Sequence, residues 1–314
     1  MIEISNLVKK YGKNYAVNDI SFNVEKGEIV GFLGPNGAGK STTMNILTGY
    51  LSATSGTARI AGYDILENPM EAKKHIGFLP EHPPLYLDMT VKEYLDFVFD
   101  LKKCNLNRKK HISEIVDVIN IGDVYKRPIG HLSKGYRQRV GIAQALISSP
   151  DLLIFDEPTV GLDPKQIIEI RELINSLGKN HTVILSTHIL PEVNAVCDRV
   201  VIINKGKIVA NAKTDELDAV TGSRKMKVKV CGPKNEVLSS IRSINGVTGA
   251  EILPERDGDS TSLLVEAETN VDIRKPIFNA VVNKGWQMIG LEGISASLED
   301  VFIAIIDKNK KEEK

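Results

Sequence analysis

Nine residues, Gly34-Pro35-Asn36-Gly37-Ala38-Gly39-Lys40-Ser41-Thr42, carry the densest chemistry in the chain. They match G-x-x-x-x-G-K-[ST] in full. A strand-like run, EIVGFL, precedes them and a helical pattern follows, which is the context the pattern requires. The glycines let the backbone curl so that its N–H groups point inward. Those groups, with the positive end of the following helix, bind phosphate oxygens. Lys40 is then expected to reach the β- and γ-phosphates of a nucleotide, and Ser41 to offer its hydroxyl to Mg²⁺.

A second site lies about a hundred residues on, in LLIFDEP. Leu152 to Phe155 read as a buried strand whose end delivers Asp156 to the phosphate side of a sheet, because ligands in open α/β sheets lie beyond the strand C-termini. Asp156 suits organisation of Mg²⁺. Glu157 follows it, and a carboxylate beside a γ-phosphate can orient and deprotonate the attacking water. STHILPEV adds His188 after another apolar run. Position alone leaves two roles open for it, a structural imidazole or one that reaches the γ-phosphate.

HLSKGYRQRV, His131 to Val140, is harder to place. Lys134, Arg137 and Arg139 crowd a stretch that holds no metal-ligand pair and no nucleophile. A nucleic-acid patch finds no support in the whole chain, where 40 basic residues balance 40 acidic ones and leave no global field for a polyanion. The three cysteines are far apart and form no CxxC pair, which fits a reducing compartment rather than a disulfide framework. MIEISNLVKKYG has no apolar core of a secretory signal, and no apolar run approaches the ~18 residues of a bilayer span. The expectation is a chain that would work at a membrane only through a partner.

The elements that must position these residues follow from periodicity. EIVGFLG, DLLIFDE, TVILSTH and RVVIINKG are apolar on both faces and read as buried parallel strands. GKSTTMNILTGYL, KQIIEIRELINSL and LPEVNAVCD read as the helices between them. Residues 1–30 and 56–65 carry strand-turn-strand signals of an antiparallel subdomain. TVKEYLDFVFDLKK and HISEIVDVIN give a helical insert, about 90–145. From about 221 to 310 the order β-α-β-β-α-β is ferredoxin-like, closed by a last helix in SLEDVFIAIID, with 311–314 as a tail. Trp286 sits in a strand pattern and is expected in the core of this part. The predicted class is therefore α/β: a P-loop fold with a mostly parallel sheet over 1–220, then a small α+β domain.

Together these motifs, in this order and spacing, resemble the ATP-binding-cassette ATPase family over residues 1 to about 220. LSKGY resembles the family signature LSGGQ, with Ser133 and Gly135 kept and Lys134 and Tyr136 as departures. The resemblance implies that Tyr11 stacks on adenine, that Asp163 in VGLDP belongs to the loop joining two active sites, that Glu157 is the catalytic carboxylate and that His188 is the switch histidine. It implies ATP and Mg²⁺ as ligands. Glu81 stands where the family usually has Gln. A carboxylate can ligand Mg²⁺ but, ionised, donates no hydrogen bond. Both departures, and the C-terminal extension, are similar to bacterial exporter ATPases of the drug, sodium and gliding-associated group. That likeness implies a homodimer or paired ATPase subunit, an integral-membrane permease as separate partner, no nucleic-acid partner, and a cytoplasmic place on the inner face of the cell membrane. A soluble family member acting on ribosomes or DNA fits less well, since there is one phosphate loop and no sustained heptad. A small-molecule kinase leaves LSKGY and VGLDP without a role.

Overall fold

Ile2–Tyr11 (β1) opens with buried Ile2 and Ile4 alternating with exposed Glu3 and Ser5, the pattern of a strand with one wet face. In the computed structural model, which describes residues 1–214, 223–257, 259–268 and 271–294, β1 pairs antiparallel with Asn14–Val24 (β2) and Ser55–Ile60 (β4). Tyr63–Asp64 (β5) completes a four-stranded sheet in the order β2-β1-β4-β5. Ile29–Leu33 (β3) differs, being buried at all five residues, as a strand covered on both faces must be. It lies inside a six-stranded sheet of order β10-β9-β3-β8-β7-β6. The other members are Ile76–Leu79 (β6), Leu152–Asp156 (β7), Thr182–Thr187 (β8), Arg199–Asn204 (β9) and Lys207–Lys213 (β10). Strands β3 and β6 to β9 run parallel. β10 turns back beside β9 through Lys205 and Gly206, at φ 48° and 78°, the conformation a two-residue hairpin turn needs. Of the antiparallel stretch expected over 1–30, Ile29 and Val30 belong instead to the parallel sheet, in register with Val183 and Ile184.

The two sheets enclose Lys40–Leu47 (α1). Its Met44, Ile46 and Leu47 share one core with Ile2, Leu7 and Ile60 of the first sheet and with Phe32, Ile154, Ile184 and Val201 of the second. Full burial of such a side chain contributes about 1.5–3 kcal/mol. The helix therefore cannot slide without exposing several of them, and its N-terminus is fixed above the C-terminal end of β3. Pro69–Lys74 (α2), Pro164–Gly178 (α6) and Leu190–Val196 (α7) connect the strands.

The helical insert holds Val91–Leu101 (α3), Arg108–Ile119 (α4) and Lys134–Leu146 (α5). α3 begins in a capping box: Glu93 N donates to Thr90 Oγ1 at 3.2 Å and Thr90 N donates to Glu93 Oε2 at 2.8 Å, a cap worth about 1 kcal/mol. α5 is anchored at its far end by Lys102, whose Nζ donates to Ile147 O at 2.9 Å and to Gln144 O at 3.3 Å. An ammonium complements the negative end of a helix, and burial brings the Lys102 pKa down to about 8. The basic stretch ahead is used internally. Arg137 Nη2 donates to Gly130 O at 2.8 Å, and Arg139 donates to Ile119 O at 2.8 Å and to Glu169 Oε2 at 2.7 Å. These guanidiniums hold α5 in place and are not spread for a polyanion.

The described residues part into two compact units between Ala212 and Lys213. The second contains Ser223–Cys231 (β11), Lys234–Arg242 (α8), Val247–Asp257 (β12), Ser260–Glu268 (β13), Arg274–Asn283 (α9) and Gln287–Ile294 (β14). Its sheet order, β12-β13-β11-β14, with every pair antiparallel, is the ferredoxin-like arrangement. Val228, Val230, Ile241, Leu263, Val265 and Ile277 form its core, with Trp286 packed against it. The helix expected in SLEDVFIAIID and the tail lie outside the described residues. Among the described residues, no helix is long and apolar enough to cross a membrane.

Candidate functional site

Four parallel strands deliver the site. β3 ends at Leu33, in register with Thr187 at the end of β8. Asp156, at the end of β7, is in register with Ser186, and Leu79 of β6 with Phe155. The phosphate loop, Glu157, His188 and the Glu81 segment therefore all leave the same edge of the sheet.

The loop from Gly34 to Gly39 is set by close backbone approaches. Gly39 has φ 111°, and a β-carbon there would lie 2.4 Å from Ala16 O. A β-carbon on Gly34 would lie 2.4 Å from Ile203 O of β9. Neither carbonyl can retreat, since each belongs to a sheet. Gly34→Ala should therefore displace the loop, weaken ATP binding at least about tenfold and cost about 1–3 kcal/mol of stability. Nucleotide titration with a thermal melt checks both.

Lys40 is 5 % exposed. Its Nζ donates to Gly34 O at 2.8 Å and lies 3.2 Å from Glu157 Oε1. His188 Nδ1 lies 2.9 Å from Glu157 Oε2 and 3.0 Å from Oε1. Glu157 thus stands between a buried ammonium and an imidazole. Its backbone is left-handed, at φ 51°, a conformation that costs a non-glycine residue about 1 kcal/mol or more. It is pinned there by Glu157 N donating to Ser186 O at 2.8 Å. Asp156 accepts from Ser186 Oγ at 2.6 Å. Burial raises its pKa, hydrogen bonds from Ser186 and Ser41 oppose the rise, and the charges of Glu157 and Glu81 add to it. A cation at this point would relieve that cost.

A cleft of about 380 Å³ opens here, lined by Asn36, Gly37, Gly39, Lys40, Ser41 and Thr42 with Glu81, Glu157 and His188. Ala16 and Val160 complete the lining, and neither type carries a chemical signal in a sequence. Tyr11 is not in this lining. It is 53 % exposed, with Lys9 Nζ 5.2 Å from its ring centroid. Ser133 and Asp163 are outside it too. Each caps a helix: Ser133 Oγ accepts from Tyr136 N at 3.4 Å, and Asp163 Oδ1 from Gln166 N at 3.0 Å. The two helix starts are packed together, since a β-carbon on Gly135 would meet the Gln166 carboxamide at 2.7 Å. Lys134 reaches back to its own Gly161, where a β-carbon would lie 2.1 Å from Nζ. Tyr136 OH donates to Asp123 Oδ2 at 2.5 Å, and that bond raises its pKa.

Residues 17–160 match the family model described as ABC transporter. Over 308 residues the chain is 33 % identical to the bacitracin transport ATP-binding protein BcrA of Bacillus licheniformis, covering 98 % of this chain and 97 % of that one. The chain belongs to the ABC transporter family. It is an ATP-binding subunit and an ATPase. It is also 31 % identical to the daunorubicin/doxorubicin resistance ATP-binding protein DrrA of Streptomyces peucetius, covering 97 % of this chain and 92 % of that one. Among solved structures, a dimeric ATP-binding cassette in a post-hydrolysis state with ADP and Pi matches with a TM-score of 0.62 and 27 % identity, over 68 % of this chain and 99 % of that one.

Proposed function

We propose that two ATPase units of this kind close on ATP and that their cycle drives export through a separate membrane permease. The observation that carries the reading is the Lys40–Glu157–His188 chain in the cleft, its ammonium and carboxylate buried and its imidazole half-exposed, with contacts of 3.2 and 2.9 Å. One unit supplies Lys40, Glu157 as the base for water and His188 beside it. Phosphoryl transfer asks the protein for positioning and charge stabilisation more than covalent chemistry. Ser41, Asp156 and Glu81 are hard oxygen donors suited to Mg²⁺. Among the described residues, no cluster of three or more His, Cys, Asp or Glu is arranged to hold a metal by itself. That suits an ion usually bound by one or two carboxylates with phosphate oxygens and water, and bound Mg²⁺ would neutralise charge developing on the phosphates. The other unit supplies Ser133, Gly135 and the positive start of α5, which lie outside the cleft of their own chain. Tyr11 is open for stacking on the base, and Asp163 stands where the units would meet.

A groove of about 710 Å³ between core and insert, lined by Tyr50, Phe78, Pro80, His82, Lys102 and Gln144, supports docking of the permease beside Glu81. Docking there would put the chain at the inner face of the membrane in this reading, and the relatives' names favour an antibiotic or drug as cargo. Residues 221–310 form a separate accessory domain in this reading. Co-expression with a candidate membrane permease tests it. The wild-type chain should be recovered with detergent-extracted membranes, and Tyr50→Arg, at an 83 % exposed position, should lower that recovery at least about fivefold. Equal recovery of both would overturn the docking face.

A further inference from the structure

Glu192 is absent from the chemistry above, yet at 1 % exposure it is more buried than Asp156 or Glu157. It sits in the first turn of α7. Its two oxygens serve the loop after β7 and the last residue of β8. Thr159 Oγ1 donates to Oε1, and Thr187 Oγ1 donates to Oε2 at 2.8 Å. Thr187 Oγ1 also accepts from Ile189 N at 3.1 Å. Arg171 of α6 places Nη2 3.8 Å from Oε1 and supplies the opposing charge.

A buried carboxylate is a costly way to fill space, and an apolar side chain of similar size often serves as well or better for stability. What an apolar side chain does not do is hold two hydroxyls at once. Thr159 comes two residues after Glu157, and Thr187 immediately before His188. The left-handed backbone at Glu157 persists only if its surroundings over-determine it. Ser186 O pins that turn from the front; the Thr159–Glu192 bond pins it from behind.

We propose that Glu192 is a positioning residue: one buried carboxylate ties the loop after β7 to the end of β8, next to His188, and so sets the contact between Glu157 and His188. This rests on the reading of those two residues as the hydrolytic pair. It deepens that reading by naming what holds the pair in register, with α6 and its Asp163 end tied in through Arg171.

Glu192→Met tests it, because methionine keeps the length and removes the tie. The variant leaves Arg171 and two buried hydroxyls without their partner, so it should melt below wild type yet stay folded. It should bind ATP with a KM within about threefold, while kcat falls about 10- to 100-fold. A kcat within about threefold of wild type would overturn the proposal. Should Glu192→Met fail to fold, Thr187→Val should show the same split between kcat and KM, and Thr187→Ser, which keeps the hydroxyl, should restore kcat. A serine variant as slow as the valine one would also sink it. Glu157→Gln run alongside separates the two ideas. If Glu157→Gln is inactive and Glu192→Met is fast, the tie fails and the base stands; if Glu157→Gln turns over normally, the base assignment fails.

Discussion

Glu157→Gln should lower ATP turnover by at least about 100-fold, the range a general base supplies, while ATP binding persists or tightens. The substitution keeps shape but removes the carboxylate that stands between Lys40 and His188, the base for water in this reading. Its effect on Lys40 has the opposite sign. In the protein Lys40 Nζ is shared between Gly34 O at 2.8 Å and Glu157 Oε1 at 3.2 Å. With a neutral carboxamide at 157, that buried ammonium loses its ionic partner and keeps only carbonyls. An uncompensated buried charge is strongly unfavourable, so the variant should be less stable without nucleotide and gain more on binding it, since phosphates supply the missing charge. The expected signature is a lower melting temperature in buffer, a larger rise with Mg-ATP than wild type shows, and an ATP-dependent dimer by size-exclusion chromatography. Turnover within about fivefold of wild type would remove Glu157 from its assigned role.

The parts legible in the sequence are those where local chemistry and local structure coincide. Gly34 to Thr42 announce their loop because only glycine fits where a β-carbon would strike Ala16 O or Ile203 O. β3, β7, β8 and β9 are visible because strands covered on both faces are apolar throughout. The short strand β6 was not, since a run of four apolar residues between a helix and a proline has too few residues to show a period. Arg137 and Arg139 stayed without a role for a related reason. Composition registers their charge, and only the fold shows them spent on backbone carbonyls and Glu169. Glu192 was silent because its partners are 33 and 5 residues away, and nothing in ILPEV distinguishes a buried carboxylate from an exposed one.

Ser133→Arg should abolish hydrolysis while a single subunit still binds ATP. Ser133 caps α5 without entering the cleft of its own chain, so a bulky cation there leaves Lys40 and its loop untouched. It meets the nucleotide only if a second unit presents α5 to it. Adding a guanidinium to a helix start also opposes the helix dipole. The cap itself is worth about 1 kcal/mol, so stability should drop by that order and no more. Complementation makes the test decisive. Lys40→Ala alone should be inactive because it loses the phosphate-binding ammonium, and Ser133→Arg alone because it loses the facing helix start. Mixed in equal amounts, half of the dimers formed at random combine one of each, and each of those rebuilds one site of two. Activity should return to about a quarter of wild type. No recovery on mixing, with each variant folded and dimer formation shown, would mean that Ser133 acts within its own chain; activity in Ser133→Arg by itself would mean that the helix start has no part in the site.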